Sequence, residues 1–324
     1  MPRNKHIRIM FMGTPEFAVE VLRSVYSKEG CEVCAVVTRP DKPAGRGMKM
    51  LSSPVKIFAL EHGIPVYQPA TLKDGRFIDV LDEIKPELII VAAYGNILPE
   101  YVIEYPEYGC INAHGSLLPK YRGAAPMQRA LMEGEKVTGI TAMYMDKGLD
   151  TGDMILKLEC PVTDEDDFGT IHDKLASLGG KAMCDVIDMI WKGEVPREKQ
   201  NDSESTYASK IEKSETYLDF TRPADEIFNK IRGLSPAPCA ATTNADGTLL
   251  KIIKARRSER KDTEKYLPGE VVETDMKGDG YFTVRCGDGF IDVTFVQPQG
   301  KRAMSSADYL RGRKIVTGQI LGEK

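Results

Sequence analysis

The spacing of apolar and polar positions changes along the chain, and the change divides it in two. Residues 7–12 are a short apolar run turned by Gly13-Thr14-Pro15, and Pro15 suits the first turn of a helix reaching about Tyr26. Residues 31–38 predict a second strand, 54–61 a helix, 66–67 a short strand and 76–83 another helix. The unbroken apolar run 88–92 follows Pro86 and suits a strand buried on both faces. Strands at 110–112 and 140–145 flank a helix from about Pro126 to Glu133. Residues 168–192 have the period of a long amphipathic helix, with an interruption expected at Gly179-Gly180. Strands alternating with helices predict a doubly wound, mostly parallel α/β sheet of the Rossmann-like kind over residues 1–191.

The polar stretch 192–206 reads as a linker. Beyond it, a short helix at 225–232 precedes short strands at 249–255, 269–273, 281–286 and 290–295. Asn-Ala-Asp-Gly, Lys-Gly-Asp-Gly and Cys-Gly-Asp-Gly punctuate them as tight turns. Residues 207–324 are therefore expected to form a small β domain.

Bulk properties narrow the class. A chain of 324 residues favours two domains, and 42% hydrophobic with 28% charged residues is ordinary for a globular protein. No apolar run reaches the roughly 18 residues that a membrane-spanning helix needs. The first residues lack the long apolar core of a signal peptide, so a cytoplasmic location is expected. Cys31 and Cys34 have CxxC spacing, but strand residues three apart face opposite sides and no second Cys or His pair accompanies them. The seven cysteines are read as reduced thiols, and no metal site is expected. The net charge of −4 hides an asymmetry: residues 207–324 carry +3 and residues 1–206 carry −7. Such a balance suits a C-terminal part that faces a polyanion.

The residues richest in chemistry are Asn112 and His114. Two apart at a strand end, they project to one side, where open parallel sheets bind their ligands. An amide donor beside an imidazole suits a developing oxyanion and a proton transfer, as in acyl transfer. The plain alternative is that His114 is a satisfied structural residue. Asp150 follows the next strand, where a carboxylate could orient the imidazole. A nucleotide dehydrogenase is the obvious competitor for this α/β pattern. The first turn, Gly-Thr-Pro-Glu-Phe-Ala, lacks GxGxxG, and strand two ends at Thr38-Arg39 rather than on an acidic residue. An NADP enzyme could use that arginine, so the exclusion is incomplete.

Asn112-Ala113-His114, Ser116-Leu117-Leu118-Pro119, Tyr121-Arg122-Gly123-Ala124-Ala125-Pro126 and Leu149-Asp150-Thr151-Gly152-Asp153 resemble the folate-dependent formyltransferases. The Asn/His/Asp set marks only the shared chemistry of that group. The resemblance starts at Gly13-Thr14-Pro15-Glu16-Phe17-Ala18, includes Pro40-Asp41-Lys42-Pro43-Ala44-Gly45-Arg46-Gly47 and Ser53-Pro54-Val55-Lys56, and reaches the C-terminal region, so it covers essentially the whole chain. Segments 13–18 and 43–47, with the added C-terminal domain, point to the branch of the family that acts on methionyl-tRNA.

The resemblance implies 10-formyltetrahydrofolate as formyl donor, the α-amine of initiator methionyl-tRNA as acceptor, no metal, and no obligatory protein partner. It implies catalytic roles for Asn112, His114 and Asp150, and folate contacts from Ser116, Leu117, Leu118, Pro119 and Leu98. By composition alone the three leucines would be plain core. It implies tRNA contacts from the basic loop carrying Lys42, Arg46 and Lys49, and an OB-like barrel as the form of the C-terminal domain. The run Lys251, Lys254, Arg256 and Arg257 is the second candidate for tRNA contact; charge runs are otherwise usually solvated faces. Arg311, Arg313 and Lys314 form a third cluster.

Two rivals keep the same catalytic set: formylation of a purine precursor, which would lack the C-terminal domain, and of an amino-sugar nucleotide. A noncatalytic RNA-binding protein with a decayed α/β domain is the rival of another class, and intact Asn112, His114 and Asp150 speak against it.

Overall fold

The computed structural model of the chain describes residues 6–44, 49–312 and 315–322. Its first elements are β1 (Ile7–Gly13), α1 (Glu16–Tyr26), β2 (Cys31–Val37), a hairpin of β3 (Lys42–Ala44) and β4 (Lys49–Leu51), α2 (Pro54–Glu61) and β5 (Val66–Tyr67). There follow α3 (Ile78–Ile84), β6 (Leu88–Ala92), α4 (Glu100–Ile103), β7 (Cys110–His114), β8 (Arg122–Gly123) and α5 (Pro126–Met132). Then come β9 (Val137–Tyr144), β10 (Met154–Pro161) and the long α6 (Phe168–Lys192).

Seven of these strands form one sheet in the order β10-β9-β7-β6-β1-β2-β5. Strands β7, β6, β1, β2 and β5 pair in parallel, while β9 and β10 add antiparallel on the β7 side. The mostly parallel, doubly wound sheet expected from the alternating pattern is present. Met10, Met12, Ile89 and Val91 pack on one face with Leu81 of α3 and Val102 of α4, and α1 lies against β1, β2 and β6. Helices on both faces explain why these strands read as continuous apolar runs. Strand β10 was not anticipated, although Leu156 to Cys160 alternate apolar and polar side chains as a half-exposed strand should.

The expected break in α6 is absent: the helix runs unbroken through Gly179 and Gly180. A Cβ on Gly180 would stand 2.7 Å from Ser24 Cβ, and one on Gly179 would stand 3.1 Å from Val21 Cγ2. The glycines let α6 lie close on α1, with Lys28–Asp188 (2.9 Å) and Lys28 over the Trp191 ring further along. Packing overrides the helix-breaking tendency of the pair.

The chain then forms β11 (Tyr207–Ala208), α7 (Ala224–Leu234), β12 (Ala240–Thr243), β13 (Leu249–Arg257), β14 (Val271–Asp275), β15 (Tyr281–Arg285), β16 (Phe290–Pro298), β17 (Met304–Ser305) and α8 (Ser306–Arg311). An antiparallel sheet joins β12-β13-β16-β15-β14, with β17 on β16. Ile227, Phe228, Ile231 and Leu234 of α7 share its core with Ile252, Phe282, Val284 and Val293.

Two compact units result: Met1–Pro126, Val137–Pro161 and His172–Ala208 form one, and Met127–Lys136, Val162–Ile171 and Ser209–Lys324 the other. The second unit therefore recruits two segments from within the first 191 residues. Arg129 of α5 grips Glu215 with both terminal nitrogens, at 2.8 and 3.1 Å. Buried Arg232 of α7 donates to Thr163 O at 2.8 Å. Residues 192–206, read from sequence as a linker, make regular contacts within the first unit: Met154 and Glu198 exchange two backbone hydrogen bonds. No helix among the described residues is long and apolar enough to cross a membrane.

Gly180→Ala tests the close helix contact. Alanine favours a helix by about 1 kcal/mol over glycine, but the clash with Ser24 costs more, since overpacking typically costs about 1–3 kcal/mol. Denaturant unfolding should show net destabilisation, and a stabilised variant would mean that α1 and α6 separate freely.

Candidate active site

Strand β7 is hydrogen-bonded on both sides: Val91 of β6 pairs with Asn112, and Met143 and Thr141 of β9 pair with Asn112 and His114. Ile111 and Ala113 are buried on one face, so Cys110, Asn112 and His114 take the other. Cys110 belongs to the same buried cluster as Tyr94 and Leu98, from the loop after β6. The pair thus stands at the carboxyl ends of the central parallel strands, where the sequence placed it. Asn112 is half-buried, and its side-chain amide makes no hydrogen bond among the described residues. It is a donor held in place and left open.

His114 is 5% exposed. Its Nε2 lies 2.9 Å from Tyr121 O, and a carbonyl only accepts, so Nε2 carries a proton. Nδ1 is then the nitrogen that gains or loses one, and it faces Asp150 Oδ2 at 3.6 Å. That separation is just beyond a direct hydrogen bond. Asp150 Oδ2 also accepts from Gly123 N at 2.9 Å. Asp150 itself sits at φ 54°, a left-handed conformation uncommon for a residue other than glycine. His114 and Asp150, both singled out from the sequence, therefore meet, and Asn112 stands on the same strand face as His114.

Known proteins resemble the whole chain. A family model described as formyl transferase matches residues 5–187, and one described as formyl transferase, C-terminal domain, matches 210–314. A methionyl-tRNA formyltransferase of Caldanaerobacter subterraneus subsp. tengcongensis is 48% identical over 316 residues, 97% of this chain and 100% of its own. That of Ectopseudomonas mendocina is 44% identical over 98% of this chain and 99% of its own. The chain belongs to the formyl transferase family, and within it to the methionyl-tRNA formyltransferases. Among solved structures, an N-formyltransferase from Helicobacter canadensis, in complex with folinic acid and dTDP-3-aminofucose, aligns with a TM-score of 0.63. Identity is 22%, over 90% of this chain and 99% of that one. HypX from Aquifex aeolicus in complex with tetrahydrofolic acid aligns at 0.61, with 17% identity, over 94% of this chain and 47% of that one. At such identities the likeness is one of fold.

In this formyltransferase the Ser116–Pro119 turn is bound from beneath by Thr141 of β9. The fully buried Thr141 hydroxyl donates to Ser116 O at 2.7 Å and accepts from Leu118 N at 3.0 Å. Ser116 Oγ closes the turn on Lys120 O at 2.7 Å. Leu118 is buried against Met143 and Met154, Leu98 is buried in the cluster with Tyr94, and Leu117 and Pro119 are half-buried. Ile97 beside Leu98 is 75% exposed, the most open large apolar side chain among the described residues. Sequence reading passed over both Thr141 and Ile97. An isolated threonine within a strand gives no sign of what lies beneath it, whereas Ile97 adjoined a quoted residue.

The basic loop is a hairpin. Lys42 is exposed at its start, Lys49 pairs with Ala44 across it, and Arg46 lies outside the described residues. Its base is tied down: Asp41 accepts from Lys56 Nζ (2.6 Å) and Gln68 Nε2 (2.8 Å), which holds its carboxyl below the usual carboxylate range. Arg39, at the end of strand two, reaches across to Gly95 O at 2.7 Å and is part of this scaffold.

The basic run lies on β13, and neighbouring groups already hold much of it. Arg257 is gripped by Asp164 (2.6 Å) and Asp225 and lies over the Phe228 ring. Arg256 meets Asp292 at 3.2 Å, Lys251 Nζ donates to Pro238 O at 2.9 Å, and Lys254 is exposed. Arg311 pairs with Asp308, and Arg313 and Lys314 lie outside the described residues. The thiols of Cys31 and Cys34 are pushed up to about 11 by burial, in keeping with structural cysteines.

Thr141→Val keeps the shape and strands Ser116 O and Leu118 N without a partner. Stability should fall by about 1–3 kcal/mol in denaturant unfolding, while Thr141→Ser, which keeps the hydroxyl, falls less. Equal losses in both would mean that the methyl group, not the hydroxyl, supports the turn.

Proposed function

We propose that this chain transfers the formyl group of 10-formyltetrahydrofolate to the α-amine of methionine on initiator tRNA, giving N-formylmethionyl-tRNA for translation initiation. The observation that carries the reading is the open amide of Asn112 beside a His114 ring whose exchangeable nitrogen faces Asp150. Relatives of that name cover the chain nearly end to end at 41–48% identity, whereas the sugar-formylating likeness is one of fold. Such an activity belongs in the cytoplasm, where initiator tRNA is used.

An α-amine has an ordinary pKa of about 8, and the neighbouring ester lowers it, so the acceptor needs little activation near neutrality. The demands fall on the formyl group. Asn112 donates to the formyl oxygen as negative charge gathers there. A proton held at His114 Nδ1 goes to the folate nitrogen as its bond to the formyl carbon breaks, and the proton that the attacking amine gives up restores the one lost from the ring. Asp150 fixes the ring and balances its charge. We assign the folate side of the site to Leu98 and Ser116–Pro119, supported by the motif and by the exposed Ile97 next to Leu98.

For the acceptor we assign Lys42, Arg46 and Lys49 of the basic loop, together with Lys254 and Arg256 of β13. Arg257 and Lys251, already held within the second unit, are assigned chiefly to its structure. Incubation with 10-formyltetrahydrofolate and either methionyl-initiator tRNA or an amino-sugar nucleotide decides the reading: formyl label should appear on the tRNA, and label on the sugar alone would reverse it.

Asn112→Ala and His114→Ala should each lower turnover by about a hundredfold or more with little change in tRNA affinity. Near-normal single-turnover rates in a folded variant would remove that residue from the chemistry.

The two cation classes on β13 should behave differently. Lys254→Ala should make the logarithmic salt dependence of tRNA binding shallower by about 0.9 per lost phosphate contact. Arg257→Ala should mainly lower stability. Point substitutions are the right tool, since truncation near Asp202 would also remove Thr206 and Ala208, which hold Tyr121–Ala125. An unchanged slope for Lys254→Ala would take this face out of tRNA contact.

A further inference from the structure

Both partners of the His114 ring are held by one stretch of chain, residues 198–208. Thr206 Oγ1 accepts from Tyr121 N at 2.8 Å and Thr206 O from Arg122 N at 2.9 Å. Ala208 O accepts from Ala124 N at 2.9 Å and Ala125 N at 3.2 Å, and Gly123 (φ 122°) leaves it room, since a Cβ there would stand 2.7 Å from that oxygen. This fixes the Tyr121 carbonyl that receives His114 Nε2–H. The other partner is fixed by Gln200, whose Nε2 donates to Asp150 O and to Gly152 O, both at 2.8 Å. Gln200 Oε1 in turn accepts from Arg122 Nε at 3.0 Å, and Arg122 Nη2 meets Asp202 Oδ1 at 2.7 Å.

Every polar group of the Gln200 carboxamide is thus used. Its two N–H groups close the 150–152 turn from outside, and its oxygen is aimed by Arg122. Tyr121 and Asp150 both have left-handed backbones, at φ 61° and 54°. The conformation is costly for a bulky residue such as Tyr121 and milder for an aspartate, and in both cases outside contacts stabilise it. We propose that Gln200 is a positioning residue for formyl transfer, setting the Asp150 carboxylate against His114 through the backbone of residues 150–152. This inference rests on the catalytic reading of Asp150.

Two variants separate the donors from the rest of the contact. Gln200→Met removes the donors without adding charge. Gln200→Glu keeps an oxygen for Arg122 while losing both N–H groups. In each, kcat should fall about tenfold to a hundredfold, the range that small misplacements cost. KM for folate and for methionyl-tRNA should stay within about twofold; thermal unfolding falls with the lost hydrogen bonds, and kcat is read well below the unfolding temperature of each variant. The deciding measurement is a double-mutant cycle with Asp150→Ala. If Gln200 acts through Asp150, Gln200→Glu costs nothing further in the Asp150→Ala background. Full multiplication of the two losses would overturn the proposal by showing an independent structural effect, as would unchanged kcat in Gln200→Met. Normal turnover in Asp150→Ala alone would remove the catalytic reading and this proposal together, and so is distinguishable from failure of the Gln200 role.

Discussion

Everything at the site depends on the double pairing of β7. Its backbone groups are satisfied by β6 on one side and β9 on the other, so its register cannot slide without breaking both ladders. A one-residue slip would turn Ile111 and Ala113 toward the ligand face and send Asn112 and His114 into the packed one. The burial of those two apolar side chains therefore sets the chemistry as firmly as any polar contact does. The change of polarity between β7 and β9 adds a second consequence. Because β9 runs back beside β7, Thr141 comes level with His114 and can seat the turn that follows it.

Charge is a poorer guide here than geometry. The C-terminal region has a net charge of +3, yet its arginines are mostly spoken for. Arg256, Arg257 and Arg260 each meet at least one carboxylate, and Arg232 is buried with a carbonyl and the Asn229 side chain as partners. Arginine's planar fork suits this use, since it binds carboxylates and carbonyls and stacks on rings such as Phe228 and Phe290 at once. A lysine such as Lys254, exposed on the same strand as Arg257, is a better candidate for a phosphate than its louder neighbour.

What the sequence disclosed follows the same division. Apolar periodicity located the parallel strands and most helices, because burial on a regular element repeats at a fixed interval. Asn112, His114 and Asp150 were legible because spacing and a family pattern both marked them, and the structure brings His114 and Asp150 together. The Gly179-Gly180 pair was misread because local propensity says nothing of a neighbouring helix that needs the space. Gln200 and Thr141 left no trace, since each acts on backbone groups far away in sequence. The polarity of residues 192–206 suggested a linker. In the structure, those polar side chains and the adjoining Thr206–Ala208 backbone bond to the first unit's own turns.

The left-handed backbone of Asp150 shows why such ties are needed. A non-glycine residue held in that region costs about 1–3 kcal/mol, and each hydrogen bond returns a net of only about 1 kcal/mol. The two donors of Gln200 and the Gly123 N–H on Oδ2 together are of the size required to offset it. One carboxylate oxygen is thereby shared between a backbone donor and the His114 ring. It cannot swing toward solvent without giving up the Gly123 bond. The orientation is settled during folding, so no reorganisation of Asp150 is left for the moment when charge moves onto the imidazole. Strain in one residue, held by a neighbour that touches no reacting atom, is how this fold keeps a carboxylate in place at the mouth of a sheet.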